Sequence, residues 1–147
     1  MPSSLPPESL ARSLSVGTRP QAKHLILILA REFAAELAVP VLLTDADGRL
    51  VYFNEAAEEV LGRSFAESGE LTAPEWRDSF AIRDEHGGHI EPAQMPISTT
   101  LREQRPAHGV LQIVGLDEVR RTIEVTAIPL LASRGEPIGV IAIFWPR

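Results

Sequence analysis

The chain has 147 residues, 44% of them hydrophobic and 23% charged, enough for one soluble domain with its own core and no disulfide or metal staples. Its formal net charge is −6 and its longest cationic run is the pair Arg120–Arg121, which argues against direct binding to nucleic acid phosphates. Cysteine is absent, which removes disulfides, thiolate nucleophiles and thiolate zinc sites together and fits a reducing cytoplasm.

Residues 1–20 are rich in Pro and Ser and read as a flexible arm. From 21 to 38 the pattern becomes helical: Ile26, Leu29, Ala30, Phe33 and Leu37 recur at the spacing of one helix face. Leu25 and Ile28 widen that face, and Pro40 ends the segment. The run "LILILA" (25–30) is too short to cross a bilayer and is followed by Arg31 and Glu32, so no membrane partner is expected. The N-terminus also lacks the basic-then-apolar order of a signal peptide, and the expected location is the cytoplasm.

"VPVLLTD" (39–45) reads as a strand, "ADG" as a tight turn in which Gly48 takes a positive φ, and "RLVYFN" (49–54) as the antiparallel partner. Asn54 stands where a helix N-cap belongs, ahead of "EAAEEVLG"; a cap is the preferred reading over a ligand contact. Residues 63–96 read as irregular, with a second turn at "DEHGGH" (84–89). "PISTTLREQ" (96–104) reads as a short helix with Pro96 in its first turn. Three strands follow at 108–115, 120–131 and 137–145, joined by loops of hairpin length. The expected fold class is α+β, a five-stranded antiparallel sheet with short helices on one face.

The last strand, "IGVIAIFW", does not alternate apolar and polar residues, so both of its faces should be covered. The helix at 21–38 is the spare apolar element, and it is expected to lie across the outer face of the sheet. Its surplus apolar surface predicts a homodimer through Leu25, Ile26, Ile28, Leu29, Phe33 and Leu37.

No catalytic set is visible, and the chain is expected not to be an enzyme. His86 and His89 flank "GG" in a polar turn and read as solvated rather than as metal ligands; no metal site is expected. His24 and His108 read as surface and strand-edge residues.

The stretches "TDADGRLVYFNEAAEEVLG" and "IEVTAIPLLASRGEPIGVIAIF" resemble the first hairpin, following helix and closing hairpin of a PAS domain, a bacterial-type sensory fold. "WRDSFAIRDEHGGHIEPAQMPISTTLREQRPAHG" is similar to the longer middle section of one bacterial branch. The resemblance covers residues 39–145; with the arm at 1–20 and the helix at 21–38 read above, it gives a PAS-like domain at 39–147. Many such domains leave their last strand through an Asp-x-Thr step into a coiled coil; this strand ends "FWPR". Transmission is therefore expected through the N-terminal helix, in a stand-alone module or as the sensor part of a longer chain.

The resemblance and strand alternation together imply an apolar hollow faced by Leu42, Val51, Phe53, Ala57, Leu61, Leu101, Val110, Gln112, Val125, Val140, Ala142 and Phe144. Gln112 has two open readings, a partnered amide inside or an exposed one outside. No cofactor is required. Haem would need a histidine on the helix before the third strand, and "PISTTLREQ" has none; flavin without a cysteine stays open. The expected function is a cytoplasmic sensory or signal-relay module that dimerises, meets a signalling protein and takes a small molecule in its hollow. The alternatives are a protein–protein interaction scaffold with a filled core, and a haem-binding gas or redox sensor.

Overall fold

The computed structural model describes residues 25–147; the expected arm over 1–20, residues 21–24 of the expected helix, and His24 all lie outside them. Residues 25–35 form helix α1, which ends at Ala35 rather than Ala38. Its last carbonyls are closed by tight bonds, Glu36 N to Phe33 O and Leu37 N to Ala34 O, both 3.1 Å. Strands β1 (Val41–Asp45) and β2 (Leu50–Phe53) then pair antiparallel. Asp45 builds the turn between them, its Oδ1 accepting the N–H groups of Asp47 at 2.9 Å and Arg49 at 3.0 Å. Gly48 takes φ +81° there, a left-handed conformation that costs a residue with a Cβ about 1–2 kcal/mol. The Gly48 carbonyl accepts the Trp76 indole N–H at 2.9 Å.

Asn54 caps α2 (Glu55–Leu61), and Gly62 stops it. Residues 63–96 are more ordered than their composition suggests. Helices α3 (Phe65–Ser68) and α4 (Ala73–Ser79) each start with a capping box, Ser64 with Glu67 and Thr72 with Glu75. Both glutamate carboxyls lie below their ordinary range, because each accepts the backbone N–H of its cap residue. A two-residue strand, β3 (Arg83–Asp84), comes next. The turn after it folds on Asp84, whose Oδ1 accepts His86 N and Gly88 N, both at 2.8 Å. Helix α5 (Pro96–Glu103) leads into β4 (Ala107–Val114), β5 (Arg120–Leu131) and β6 (Pro137–Pro146).

The strand order is β2-β1-β6-β5-β4-β3, antiparallel throughout. The sheet thus has six strands, not five, because β3 adds to β4 through Arg83 and Asp84. Two charged residues carry no hydrophobic period, so that strand is invisible to pattern reading.

The central strand β6 is buried on both sides, and two clusters account for it. On the inner face, Val140, Ala142 and Phe144 join a core with α2, α4 and α5, including Ala57, Trp76 and Ile97. On the outer face, Ile141 joins Val41, Leu43 and Ala34, with Leu27, Ala30 and Leu37 packed alongside. Helix α1 therefore crosses the outer face, as the unbroken apolar run of β6 implies. Leu27, Ala30 and Ala34 meet the sheet, whereas Leu29 and Phe33 point away; Leu27 and Ala34 are not among the residues that the sequence pattern singles out. Two alanines let the helix approach closely, a feature that weighting by side-chain bulk overlooks.

Candidate functional site

Between the inner face of the sheet and helices α4 and α5 lies a hollow of about 50 Å³. Five expected residues line it: Leu42, Leu61, Val125, Ala142 and Phe144. Phe53, Ala57 and Val140 belong to the same core without reaching the hollow, and Leu101 packs half-buried against it. Three expected residues lie elsewhere. Val51 packs in the outer cluster near α1. Val110 and Gln112 project from the other side of β4, because Leu111 and Ile113 are the inward pair. "GVLQIV" is apolar on both faces, so alternation alone leaves its phase undetermined. The Gln112 amide takes its exposed reading: Nε2 donates to Glu85 O at 3.0 Å and Oε1 accepts from Arg120 at 3.3 Å.

Sequence reading missed one whole wall. Trp76, Phe80, Ile82, Met95 and Ile97 all line the hollow and come from α4 and the segments that follow it. One signal was available, the capping box "TAPE" (72–75), which marks the start of α4 and so of the turn that presents Trp76 and Phe80.

Every lining residue is apolar apart from the indole N–H of Trp76, which is already bound to Gly48 O. The nearby Thr100 hydroxyl is also occupied, donating to Ala127 O at 3.2 Å. An apolar cavity of about 150 Å³ holds benzene, so a hollow of about 50 Å³ accepts a short alkyl group and not an aromatic ring system. Neither a haem macrocycle nor an isoalloxazine fits, and the lining offers no free donor or acceptor for flavin ring polar atoms. No described histidine lines it. His86 and His89 sit in the exposed turn, His89 paired to Glu91 at 3.0 Å, and His108 contacts Thr126 at 2.9 Å. Among the described residues no group of three or more His, Asp or Glu side chains could hold a metal ion.

The second feature is the tie between the hollow and α1. Asn54 is fully buried. Its Oδ1 accepts Val41 N and Ala57 N, both at 3.0 Å, and its Nδ2 donates to Ala34 O at 3.0 Å and Val39 O at 2.8 Å. One amide thus joins the end of α1, the start of β1 and the start of α2. Arg31 adds a second contact, its guanidinium 4.6 Å from the Tyr52 ring centre and 5.5 Å from that of Phe65. Burial raises the Tyr52 phenol above its usual range, and the Arg31 charge works against that. At the far end of α2, Arg121 donates to Val60 O at 2.9 Å and to Asp117 at 2.8 Å. The Asp117 carboxyl falls to about 2, chiefly through those Arg121 hydrogen bonds.

The chain thus forms an antiparallel sheet with short helices closing an apolar hollow on one face and an N-terminal helix across the other. A family model described as the PAS fold matches residues 35–147, and the chain belongs to that family, whose members are sensory and signalling modules. Solved structures agree on the fold. The PAS domain of Bordetella pertussis BvgS is 17% identical with TM-score 0.54, covering 82% of this chain and 84% of that one. A PAS domain from Colwellia psychrerythraea is 14% identical with TM-score 0.58, covering 83% and 97%. The light-state dimer of the fungal blue-light photoreceptor Vivid is 18% identical with TM-score 0.56, covering 75% and 78%. Comparison with curated proteins returned no match. Among the described residues no helix is long and apolar enough to cross a membrane.

Proposed function

We propose that the chain is a non-catalytic sensory or relay module that works as a homodimer through α1, with a small molecule in the hollow as its input. The observation that carries this reading is the division of α1 into two apolar faces. Leu27, Ala30 and Ala34 grip the sheet. Leu25, Ile28, Leu29 and Phe33 stand in solvent, 54%, 42%, 58% and 62% exposed. Leaving four large apolar side chains along one helix face in water is unfavourable, and a two-fold contact with a second copy would bury them. Ile26 is half-buried at the margin of that face, whereas Leu37, expected in the same contact, follows the end of α1 and packs in the outer cluster. The related fold of Vivid was solved as a dimer.

Coupling in this proposal runs through α2. Leu61 at its end lines the hollow, and Asn54 at its start holds the Ala34 carbonyl of α1 and the Val39 carbonyl that follows it. A ligand that moves α2 would bias α1 between two packings. The output would be a signalling protein that meets the dimer in the cytoplasm, a location favoured by a cysteine-free, anionic composition. Replacing Leu29 and Phe33 together with lysine should give a monomer in sedimentation at equal concentration. The urea midpoint should stay near the parent's, because both side chains are exposed. A parent chain that sediments as a monomer at high concentration would refute the dimer.

The small volume of the hollow favours a second reading, an interaction scaffold that takes no ligand. Ala142→Leu separates the two. If the space is available, the added methyl groups fill it and stability stays within about 1 kcal/mol of the parent; in a core already full, overpacking costs about 1–3 kcal/mol. We expect the first result in urea titration without ligand.

A further inference from the structure

The hollow has a neighbour. An open groove of about 360 Å³ lies on the surface beside α4 and β3, and Ile82 and Met95 line both spaces. These two side chains border both the apolar hollow and the open groove. Met95 is buried and unbranched, a side chain that changes rotamer at little cost. Ala81, next to Ile82, holds φ +45°, a left-handed conformation that a residue with a Cβ rarely adopts and that strains the backbone beside the partition.

The groove carries cations. Arg77 and Arg83 both line it, and neither pairs with a carboxylate among the described residues. The opposing groups are Asp78, which lines the groove, and Glu91, which is spent on His89 at 3.0 Å. The last carbonyls of α4 are also spent: Asp78 O accepts Ala81 N at 3.1 Å and Arg77 O accepts Ile82 N at 3.4 Å. Two guanidiniums against one carboxylate leave a locally positive site on a chain of net charge −6.

From this juxtaposition we infer that the groove and the hollow form one binding site for a small amphipathic carboxylate. Its head pairs with Arg77 and Arg83, and its short branched alkyl tail passes between Ile82 and Met95 into the hollow. A guanidinium fork binds a carboxylate through two parallel N–H bonds, and it offers nothing comparable to a neutral amide. The volume of about 50 Å³ restricts the tail to a few carbons. This deepens the proposal of a small-molecule input and rests on it.

The probe is isovalerate, with isovaleramide as the uncharged control and acetate as the control without a tail. The readout is the Trp76 indole N–H resonance, because Trp76 lines the hollow. Trp145 on the opposite side, bound to Glu124 at 3.3 Å, serves as the internal reference. Isovalerate should shift the Trp76 signal saturably and leave that of Trp145 in place. Isovaleramide, acetate and the Arg77→Gln/Arg83→Gln variant should each weaken binding by about tenfold or more, the scale of a lost charged hydrogen bond or a lost buried tail. Ala142→Leu should abolish the shift by occupying the tail space. If isovalerate and isovaleramide bind alike and the arginine variant matches the parent, the carboxylate site is overturned while a ligand-accepting hollow survives. If no probe shifts Trp76, the inference fails outright, and the dimer reading is judged separately by sedimentation.

Discussion

Asn54→Ala is expected to lower stability by about 3–5 kcal/mol, several times the loss of about 1 kcal/mol from an ordinary helix cap. The substitution strands two buried N–H groups, those of Val41 and Ala57, and removes the donor from the carbonyls of Ala34 and Val39. The two N–H groups are then left buried without a partner, which carries most of the cost. Asn54→Asp provides the sharper test, because Asp caps helices as well as Asn does. A cap alone would tolerate it. Here the second carboxylate oxygen would face those carbonyls where Nδ2 now donates, so the Asp variant should fall nearly as far as the Ala variant in urea titrations. An Asp variant equal to the parent would reduce Asn54 to a cap and cut the proposed link between α2 and α1.

Gly139→Ala is expected to cost at least about 3 kcal/mol, the upper end of overpacking penalties, and to reduce the yield of folded protein. Gly139 lies opposite Asp45 of β1 and Leu130 of β5 in the middle of the sheet. A Cβ added there would collide with the backbone carbonyl of Thr44. That obstacle is main chain, held by β2 on one side and β6 on the other, and it cannot rotate away as a side chain could. Gly48→Ala makes the contrast. A Cβ at Gly48 would meet only side chains at ordinary contact distance, Leu101 at 3.5 Å and Ala73 at 3.7 Å, so strain at positive φ is its whole cost. Thermal melts should therefore rank Gly139→Ala well below Gly48→Ala.

These residues show how far sequence reading reaches. The turn at Gly48, the cap at Asn54 and the paired strands of the C-terminal half follow from local rules, and the structure contains each of them. The placement of α1 required one step more, from the missing alternation in β6 to the need for a second cover. What escaped is what local rules do not encode. The additional partners of Asn54 come from carbonyls 15 and 20 residues away, and no spacing announces them. The inward phase of β4 was hidden because Val110, Leu111, Ile113 and Val114 supply apolar groups to both faces. The part of the wall formed by Trp76 and Phe80 was legible in principle, from the capping box that opens α4.

The two-residue strand β3 has a further effect, on what the molecule does at high concentration. A sheet ends in unpaired N–H and C=O groups, and long exposed rims invite one chain to add to the next without limit. Here one rim is only Arg83 and Asp84. The other, β2, is four residues long, and its first residue is already bridged by Leu71 through Leu50 N to Leu71 O at 2.7 Å and Leu71 N to Leu50 O at 3.1 Å. Neither rim offers a template for fibre growth. In the proposed dimer, self-recognition would fall to the side of α1, where a contact between identical surfaces is satisfied after two copies and stops.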